Sequence, residues 1–173
     1  QNLTGIEYVK TKGMRADSFA LLVEVVHGYT TLLMQTSVPG DTTGTVLSYI
    51  VKLRKGEKYI VPPGFDFVLV NTRQSTSVVA IVHSTRVTLR DVFDDTRGGA
   101  NYIIRKNARQ EIVQNPFYRS VKEEKACRPE DLYKHFGLTA KTPVFKQILR
   151  KYDRFRWLHD AGMINWEEVP NCP

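Results

Sequence analysis

The sequence has little of what disulfide folds and membrane spans are built from. Its 173 residues include two cysteines, Cys127 and Cys172, which lie far apart and form no disulfide framework. No run of about eighteen apolar residues is present, which excludes a transmembrane helix. We therefore expect an intracellular, reducing compartment, either the cytoplasm or an organellar matrix. Because the sequence begins with Gln1, we expect that residues can precede it and infer nothing about targeting.

Histidine is scarce as well. His27, His83, His135 and His159 form no His-x-His or His-x-x-x-His pair, and no cysteine pair lies beside them. Metal ions of the zinc and iron class are usually held by imidazole, thiolate and carboxylate groups. The scattered histidines therefore predict no metal site of their own. Cys127 is interpreted as a free thiol, because no protease signature surrounds it.

The first two thirds of the chain is rich in predicted strands. Short β-branched or aromatic runs separated by turn residues predict strands at residues 6–11, 19–26, 30–36, 45–53, 58–61, 65–72, 77–83, 101–105 and 111–114. No helices alternate with them, which favours a closed barrel or two packed sheets over a parallel α/β sheet. Residues 88–95 predict one short helix, ended by the glycines at 98 and 99.

A Pro-Pro-Gly turn at residues 62–64 joins two of these strands, and a Thr-Lys-Gly turn at residues 11–13 lies upstream. The order and spacing of these segments, from about residue 8 to residue 118, resemble the cupin-type phosphoglucose isomerases of archaea. The resemblance implies a mainly β fold, a cupin double-stranded β-helix (a jelly-roll-like barrel) over residues 1–118. Residues 119–173 would then be a C-terminal helical extension.

The resemblance also implies that the metal ligands have been replaced. The two histidines of the family fall on Met14 and Ala16, its glutamate falls near Leu21, and its last histidine falls on Phe67. Apolar side chains cannot take over the role of imidazole or carboxylate ligands. Each of the larger ones, once buried, contributes about 1.5–3 kcal/mol to folding. We therefore expect a metal-free pseudoenzyme that uses no cofactor.

The phosphate-binding half of the family's site is partly retained. In the isomerases the Thr-Lys-Gly turn helps to hold the sugar phosphate, and here Thr11, Lys12 and Gly13 offer a hydroxyl, an ammonium and a backbone N–H. A turn of this kind also forms for conformational reasons alone. Two alternatives therefore stay open, a sugar-phosphate sensor and a glucose-6-phosphate isomerase that would need other catalytic groups.

The sequence changes character after Tyr118. Pro129 begins a helix that Gly137 ends, and the Thr-Pro pair at 142–143 begins a second helix that runs to about Asp160. Apolar residues recur at helical spacing along the second helix, at Phe145, Ile148, Leu149, Tyr152 and Phe155, widened by Trp157 and Leu158. We expect this stripe to pack on the barrel or on another protein.

Most of the net positive charge lies in the same segment. The net charge is +7, and residues 119–156 contain eleven Lys or Arg and five Asp or Glu. The basic residues along the second helix are Lys146, Arg150, Lys151, Arg154 and Arg156. They can be the solvated face of an amphipathic helix, or they can bind phosphates while nearby aromatic residues stack on bases.

Together these features predict a non-catalytic cupin. We expect it to act as a structural or interaction subunit of a larger assembly with protein partners, in which nucleic acid can also be present.

Overall fold

The chain is described by a computed structural model over residues 13–38, 40, 42, 44–93, 98–106, 109–126, 128–166 and 169. The described strands are β1 (Met14–Arg15), β2 (Leu21–His27), β3 (Tyr29–Ser37), β4 (Thr45–Arg54), β5 (Lys58–Val61), β6 (Asp66–Val70), β7 (Val78–Val82), β8 (Arg90–Asp91), β9 (Asn101–Lys106), β10 (Arg109–Gln114) and β11 (Ser120–Glu124). Helices follow them toward the C-terminus. The prediction of a mainly β protein with C-terminal helices is therefore confirmed.

The strands form three sheets. The large sheet has the order β11-β4-β3-β6-β1-β8, the small sheet has the order β5-β2-β7, and β9 and β10 form a separate hairpin. All pairings are antiparallel except that of β11 with β4, which is parallel. Over the described ranges the sheets do not close into a barrel. The predicted strand at residues 6–11 lies outside the described residues.

The large sheet carries apolar side chains on both of its faces. On β3, Leu32 and Met34 point into the main core, which also contains the small sheet and the inner residues of the C-terminal helices. The alternate residue Leu33 belongs to a second, outer cluster with Val68, Val70 and Phe93. Because side chains alternate along a strand, a run that is apolar throughout needs a cover on each face. The large sheet is therefore an inner layer of the protein.

The predicted helix at residues 88–95 is wrong for the residues that the structure describes there. Arg90 and Asp91 form β8, which pairs with β1 at the edge of the large sheet. Leu89 packs against the main core, whereas Phe93 is buried in the outer cluster. An extended chain allows Leu89 and Phe93 to reach these two different clusters. Pairing with a distant strand thus overrode the local helical pattern.

The first helix of the extension is confirmed. Helix α1 (Pro129–Phe136) has Pro129 in its first turn, and Gly137 ends it with a φ of 63°, a left-handed conformation that favours glycine. Leu132 and Phe136 are its buried residues, and both belong to the main core. The proline that was predicted to begin this helix and the glycine that was predicted to end it therefore act as expected.

The second helix is shorter than predicted. Helix α2 (Val144–Arg150) ends before Lys151, which has φ −146° and ψ 55°, and a 3-10 helix (Tyr152–Leu158) follows. The 3-10 geometry allows Phe155, Trp157 and Leu158 all to be buried. A continuous α-helix would instead have turned Trp157 away from the stripe that contains Phe155. Burial of Trp157 therefore explains why the single predicted helix is wrong.

Aromatic rings join the end of the extension to α1. The ring of Phe136 lies 5.0 Å from that of Trp157 and 6.0 Å from that of Trp166, measured between centroids. The indole Nε1 of Trp166 donates to the Ala161 carbonyl in a second 3-10 helix (Ala161–Met163). Offset and edge-on aromatic packing of this kind stabilises a fold beyond the area it buries. The extension is thus built around its own aromatic centre and shares the main core.

Candidate functional site

Met14, Ala16, Leu21 and Phe67 all lie in or against the main core. Phe67 and Leu21 are fully buried, Ala16 is nearly so, and Met14 packs against the same core from β1. Phe67 is paired across the large sheet with Met14 on one side and with Met34 on the other. Strand pairing therefore places Met14 beside Phe67, whereas Leu21 lies on β2 of the small sheet, opposite Val61.

The chemistry of this region is that of a packed apolar core. A phenyl ring, a thioether, a methyl group and an isobutyl group supply no imidazole nitrogen or carboxylate oxygen. Tyr49 and Phe65 add an edge-on aromatic pair with ring centroids 5.9 Å apart. Within the described part of the chain, no three histidine, cysteine or acidic side chains cluster in a way that could hold a metal ion.

The proposed anion-binding turn can be followed only at its last residue. Thr11 and Lys12 lie outside the described residues. Gly13 is buried, and a Cβ added to it would lie 2.0 Å from Cδ2 of Phe93. The ring of Phe93 therefore covers Gly13, and the space where a side chain would stand is taken by an apolar group. Only glycine fits beneath this ring.

A row of polar side chains crosses the outer face of the large sheet. Gln35 is paired with Ser48 on β4 and with Asp66 on β6, and Asp66 is paired with Arg15 on β1. The side chain of Asp66 accepts a hydrogen bond from Nε of Arg15, with which it forms an ion pair. Ser48 accepts from Nδ2 of Asn101 at 2.8 Å.

Gln35 connects this row to the segments that cover it. Its Oε1 accepts from the Ala100 N–H at 2.6 Å, and its Nε2 donates to the Tyr118 hydroxyl at 3.0 Å. The Tyr118 hydroxyl in turn donates to the Gly98 carbonyl at 3.2 Å. The amide of Gln35 is thus occupied by contacts within the protein. The polar row fixes residues 98–101 and 118 over the sheet, which is a structural role.

A buried ion pair joins the small sheet to the extension. Lys58 on β5 and Glu24 on β2 lie directly opposite each other, with Nζ 3.0 Å from Oε1. Nζ of Lys58 also donates to the carbonyls of Gly56 and Ala140, at 2.8 and 3.4 Å. The second oxygen of Glu24 accepts from the Val144 N–H at 2.9 Å, the first amide of α2. Glu24 therefore fixes the point at which α2 begins.

Tyr133 makes a second polar contact between α1 and the small sheet. Its hydroxyl accepts from the Lys58 backbone N–H at 2.7 Å. Burial raises the pKa of Tyr133 to about 12, because the charged phenolate would lose contact with water. The neutral hydroxyl is therefore the form that holds α1 against β5.

Sequence reasoning missed this ion pair, although a signal for it is present. Glu24 stands within the apolar run of residues 21–26, and Lys58 directly precedes the apolar residues 59–61. Acidic and basic side chains are rarely fully buried unless they are paired. Two opposite charges within predicted strands of otherwise apolar character therefore suggest each other as partners.

The predicted contact residues of the extension lie at its surface. The side chains of Lys146, Arg150, Lys151, Arg154 and Arg156 are all exposed. The apolar stripe predicted along the same segment divides into two sets. Phe155, Trp157 and Leu158 are buried, whereas Phe145, Leu149 and Tyr152 are exposed. The extension thus packs on the sheets and still leaves large apolar side chains facing solvent.

Two of the histidines, His83 and His159, lie beside Ser84. Nδ1 of His83 lies 2.8 Å from the Ser84 carbonyl oxygen. His159 has Nδ1 3.0 Å from the Ser84 hydroxyl and Nε2 3.3 Å from the Tyr152 hydroxyl. Ser84 is fully buried and also accepts from the Arg86 N–H. A hydroxyl without access to solvent cannot reach a substrate. This network therefore links the 3-10 helix to the loop after β7.

Comparison with known proteins gives no family assignment. The chain matches no protein-family model. It also matches no curated protein with significance. Within the described residues, the structure contains no helix of the length and apolar character needed to cross a membrane.

Proposed function

We propose that this chain is a metal-free, degenerate cupin of the phosphoglucose-isomerase type that acts as a non-catalytic interaction subunit of a larger assembly. The observation that carries the proposal is the apolar packing at Met14, Ala16, Leu21 and Phe67, the positions that correspond to the metal ligands of the family. Two packed β-sheets are compatible with a cupin, whose strands form a double-sheet jelly roll.

The isomerase alternative lacks the groups that its chemistry needs. Aldose-ketose isomerisation in this family relies on a metal ion to polarise the substrate oxygens and on a base to move a proton. Among the described residues, the region that would provide them is filled by apolar side chains. A sugar-phosphate sensor would rest on Thr11, Lys12 and Gly13, and Phe93 already covers Gly13.

The extension supports a role in binding other macromolecules. Glu24 and Lys58 of the small sheet hold the helices of the extension in place. Basic and apolar side chains of the extension face outward. Rigid elements that carry exposed apolar and charged groups are typical of interaction surfaces. The positive charge would favour an acidic protein surface or nucleic acid as the partner.

The proposal is tested by isolating the natural protein under mild conditions. We expect the chain to elute together with other proteins, at a mass well above that of a monomer. We also expect it to interconvert glucose 6-phosphate and fructose 6-phosphate no faster than a blank, with or without added divalent metal. Elution as a clean monomer would contradict the assembly role. Metal-dependent isomerisation would overturn the non-catalytic role.

A further inference from the structure

The outward face of α2 carries the two most exposed large apolar side chains of those that the structure describes. Phe145 is 68% exposed and Leu149 is 69% exposed. Their neighbours in sequence point the other way, since Val144 is buried in the main core and Ile148 packs against it. The helix is therefore apolar on both its inner and its outer sides.

Phe145 and Leu149 are adjacent on this outer face. Residues four apart on an α-helix lie one above the other, with Cβ atoms about 6 Å apart. Isolated exposed apolar residues are common on protein surfaces, whereas contiguous apolar patches are a feature of interaction sites. The two side chains thus form a small apolar patch that solvent contacts in the isolated chain.

Positive charge runs beside the patch. Lys146 and Arg150 are also four residues apart, each directly following one of the two apolar residues, and both are exposed. Residues 144–156 contain five Lys or Arg and one Asp. An apolar ridge next to a basic ridge is complementary to an amphipathic segment that carries acidic residues beside its own apolar stripe.

We propose that the outer face of α2 (Phe145, Lys146, Leu149 and Arg150) is the docking surface for an acidic, amphipathic helical segment of a protein partner. This inference rests on the proposed function, because it names the partner surface of an interaction subunit. Leu149 decides between a protein and a nucleic acid. It has no aromatic face on which a base could stack, and covering it on binding would favour an apolar side chain of a protein partner.

The helix is held in place for such a contact. Glu24 accepts a hydrogen bond from the N–H of Val144, the first residue of α2. Gln147 accepts a hydrogen bond from the Thr139 N–H and donates to the carbonyls of Thr139 and Thr142. The connection between α1 and α2 is therefore fixed by side-chain hydrogen bonds. A partner would bind a preformed surface and lose less conformational entropy.

The test is a selection from a library of random 16-residue peptides displayed on phage, with the full chain immobilised. We expect the enriched peptides to combine Asp or Glu with apolar residues three or four positions apart. A fluorescein-labelled synthetic copy should then bind the full chain in an anisotropy titration. Failure to enrich any peptide with this pattern would overturn the proposal.

Matched variants locate the contact. Phe145→Ser with Leu149→Ser should weaken peptide binding by about 10-fold or more, as is common for central apolar anchors. Lys146→Glu with Arg150→Glu should weaken it as well. Ile112→Ser with Val113→Ser, and Lys52→Glu with Lys55→Glu, change exposed residues elsewhere and should leave binding unchanged. Equal binding by the α2 variants, with circular dichroism spectra like that of the wild type, would contradict the proposal.

Two outcomes separate this inference from the proposed function. In one outcome a 20-nucleotide oligouridylate displaces the peptide, and its affinity falls steeply with salt and is unchanged by Leu149→Ser. The partner is then nucleic acid and the inference fails. If the natural assembly retains the Phe145→Ser, Leu149→Ser variant, the inference fails while the proposed function stands. Loss of that variant from the assembly supports both.

Discussion

At the scale of single residues, Glu24 and Lys58 form the most deeply buried ion pair of the described structure. Their side chains are 8% and 0% exposed, and each is held by the other and by backbone groups. A buried ion pair gains little over an apolar pair, but the loss of one partner leaves an uncompensated charge. The pair therefore acts as a requirement for correct docking of α2 more than as a source of stability.

We expect Lys58→Met or Glu24→Gln alone to lower the free energy of unfolding by about 3–5 kcal/mol. The double variant Lys58→Met, Glu24→Leu should lose less than the sum of the two, since no buried charge remains. Urea unfolding measures this. The exposed pair of Arg90 and Asp17 provides the control, where alanine should cost about 0–1 kcal/mol. Single core variants within that range would contradict the prediction.

Tyr133 should make stability sensitive to high pH. Its pKa in the folded protein is about 12, and tyrosine in an unfolded chain has a pKa of about 10. Above pH 10 the unfolded chain releases this proton more readily than the folded protein does. The contribution of Tyr133 is thus complete below about pH 10 and is lost as the pH rises toward 12.

The variant Tyr133→Phe isolates this effect. It removes the hydroxyl that accepts the Lys58 N–H and should lower stability at pH 8 by about 1–3 kcal/mol. Between pH 10 and 12 the wild type should approach the variant, because only the wild type carries this hydroxyl. Urea unfolding across that range measures the gap. A gap that stays constant or widens with pH would be the contrary result.

At the scale of elements, local sequence pattern predicted most of the sheet. The predicted strand at residues 58–61 has the bounds of β5, because a turn precedes it and prolines follow it. The two-residue strands β1 and β8 had no periodicity to detect and exist through pairing with each other and with β6. Strand β11 is polar and charged, and only its parallel pairing with β4 makes it a strand.

The C-terminal extension was predicted only in part, because some of its boundaries depend on tertiary packing and not on local sequence. The stop signals of α1 are local, whereas the end of α2 depends on where Phe155 and Trp157 find room in the core. The candidate site divides in the same way. The resemblance pointed to Met14, Ala16, Leu21 and Phe67, and all four lie in or against one core. The pairing of Glu24 with Lys58 depends on strand register, which spacing alone does not fix.

The broken second helix gives a sharp contrast between two residues of the predicted stripe. Trp157 is 4% exposed, so we expect Trp157→Ala to cost about 3–5 kcal/mol in the free energy of unfolding. Leu149→Ala should change it by no more than about 0.5 kcal/mol, because the side chain faces solvent. Chemical denaturation compares them. Equal losses would indicate that the chain forms the continuous helix instead.

At the scale of the whole molecule, the two sheets and the extension share one apolar core. Phe67 and Leu21 contribute to it from the sheets, and Leu132 and Trp157 contribute from the helices. The apolar side chains of Met14, Ala16, Leu21 and Phe67 add to this core, since buried apolar groups stabilise folding and require no polar partner. Phe145 and Leu149, the two most exposed large apolar side chains among the described residues, lie on the extension.

The central claim, that this core has no place for a metal ion, is tested most directly by elemental analysis. The full chain would be incubated with Fe²⁺, Mn²⁺, Ni²⁺ and Zn²⁺, passed over a chelating resin to remove weakly bound ions, and analysed by plasma mass spectrometry. The apolar packing at Met14, Ala16, Leu21 and Phe67 predicts far less than one ion per chain. Retention of one equivalent of any of these metals would contradict it.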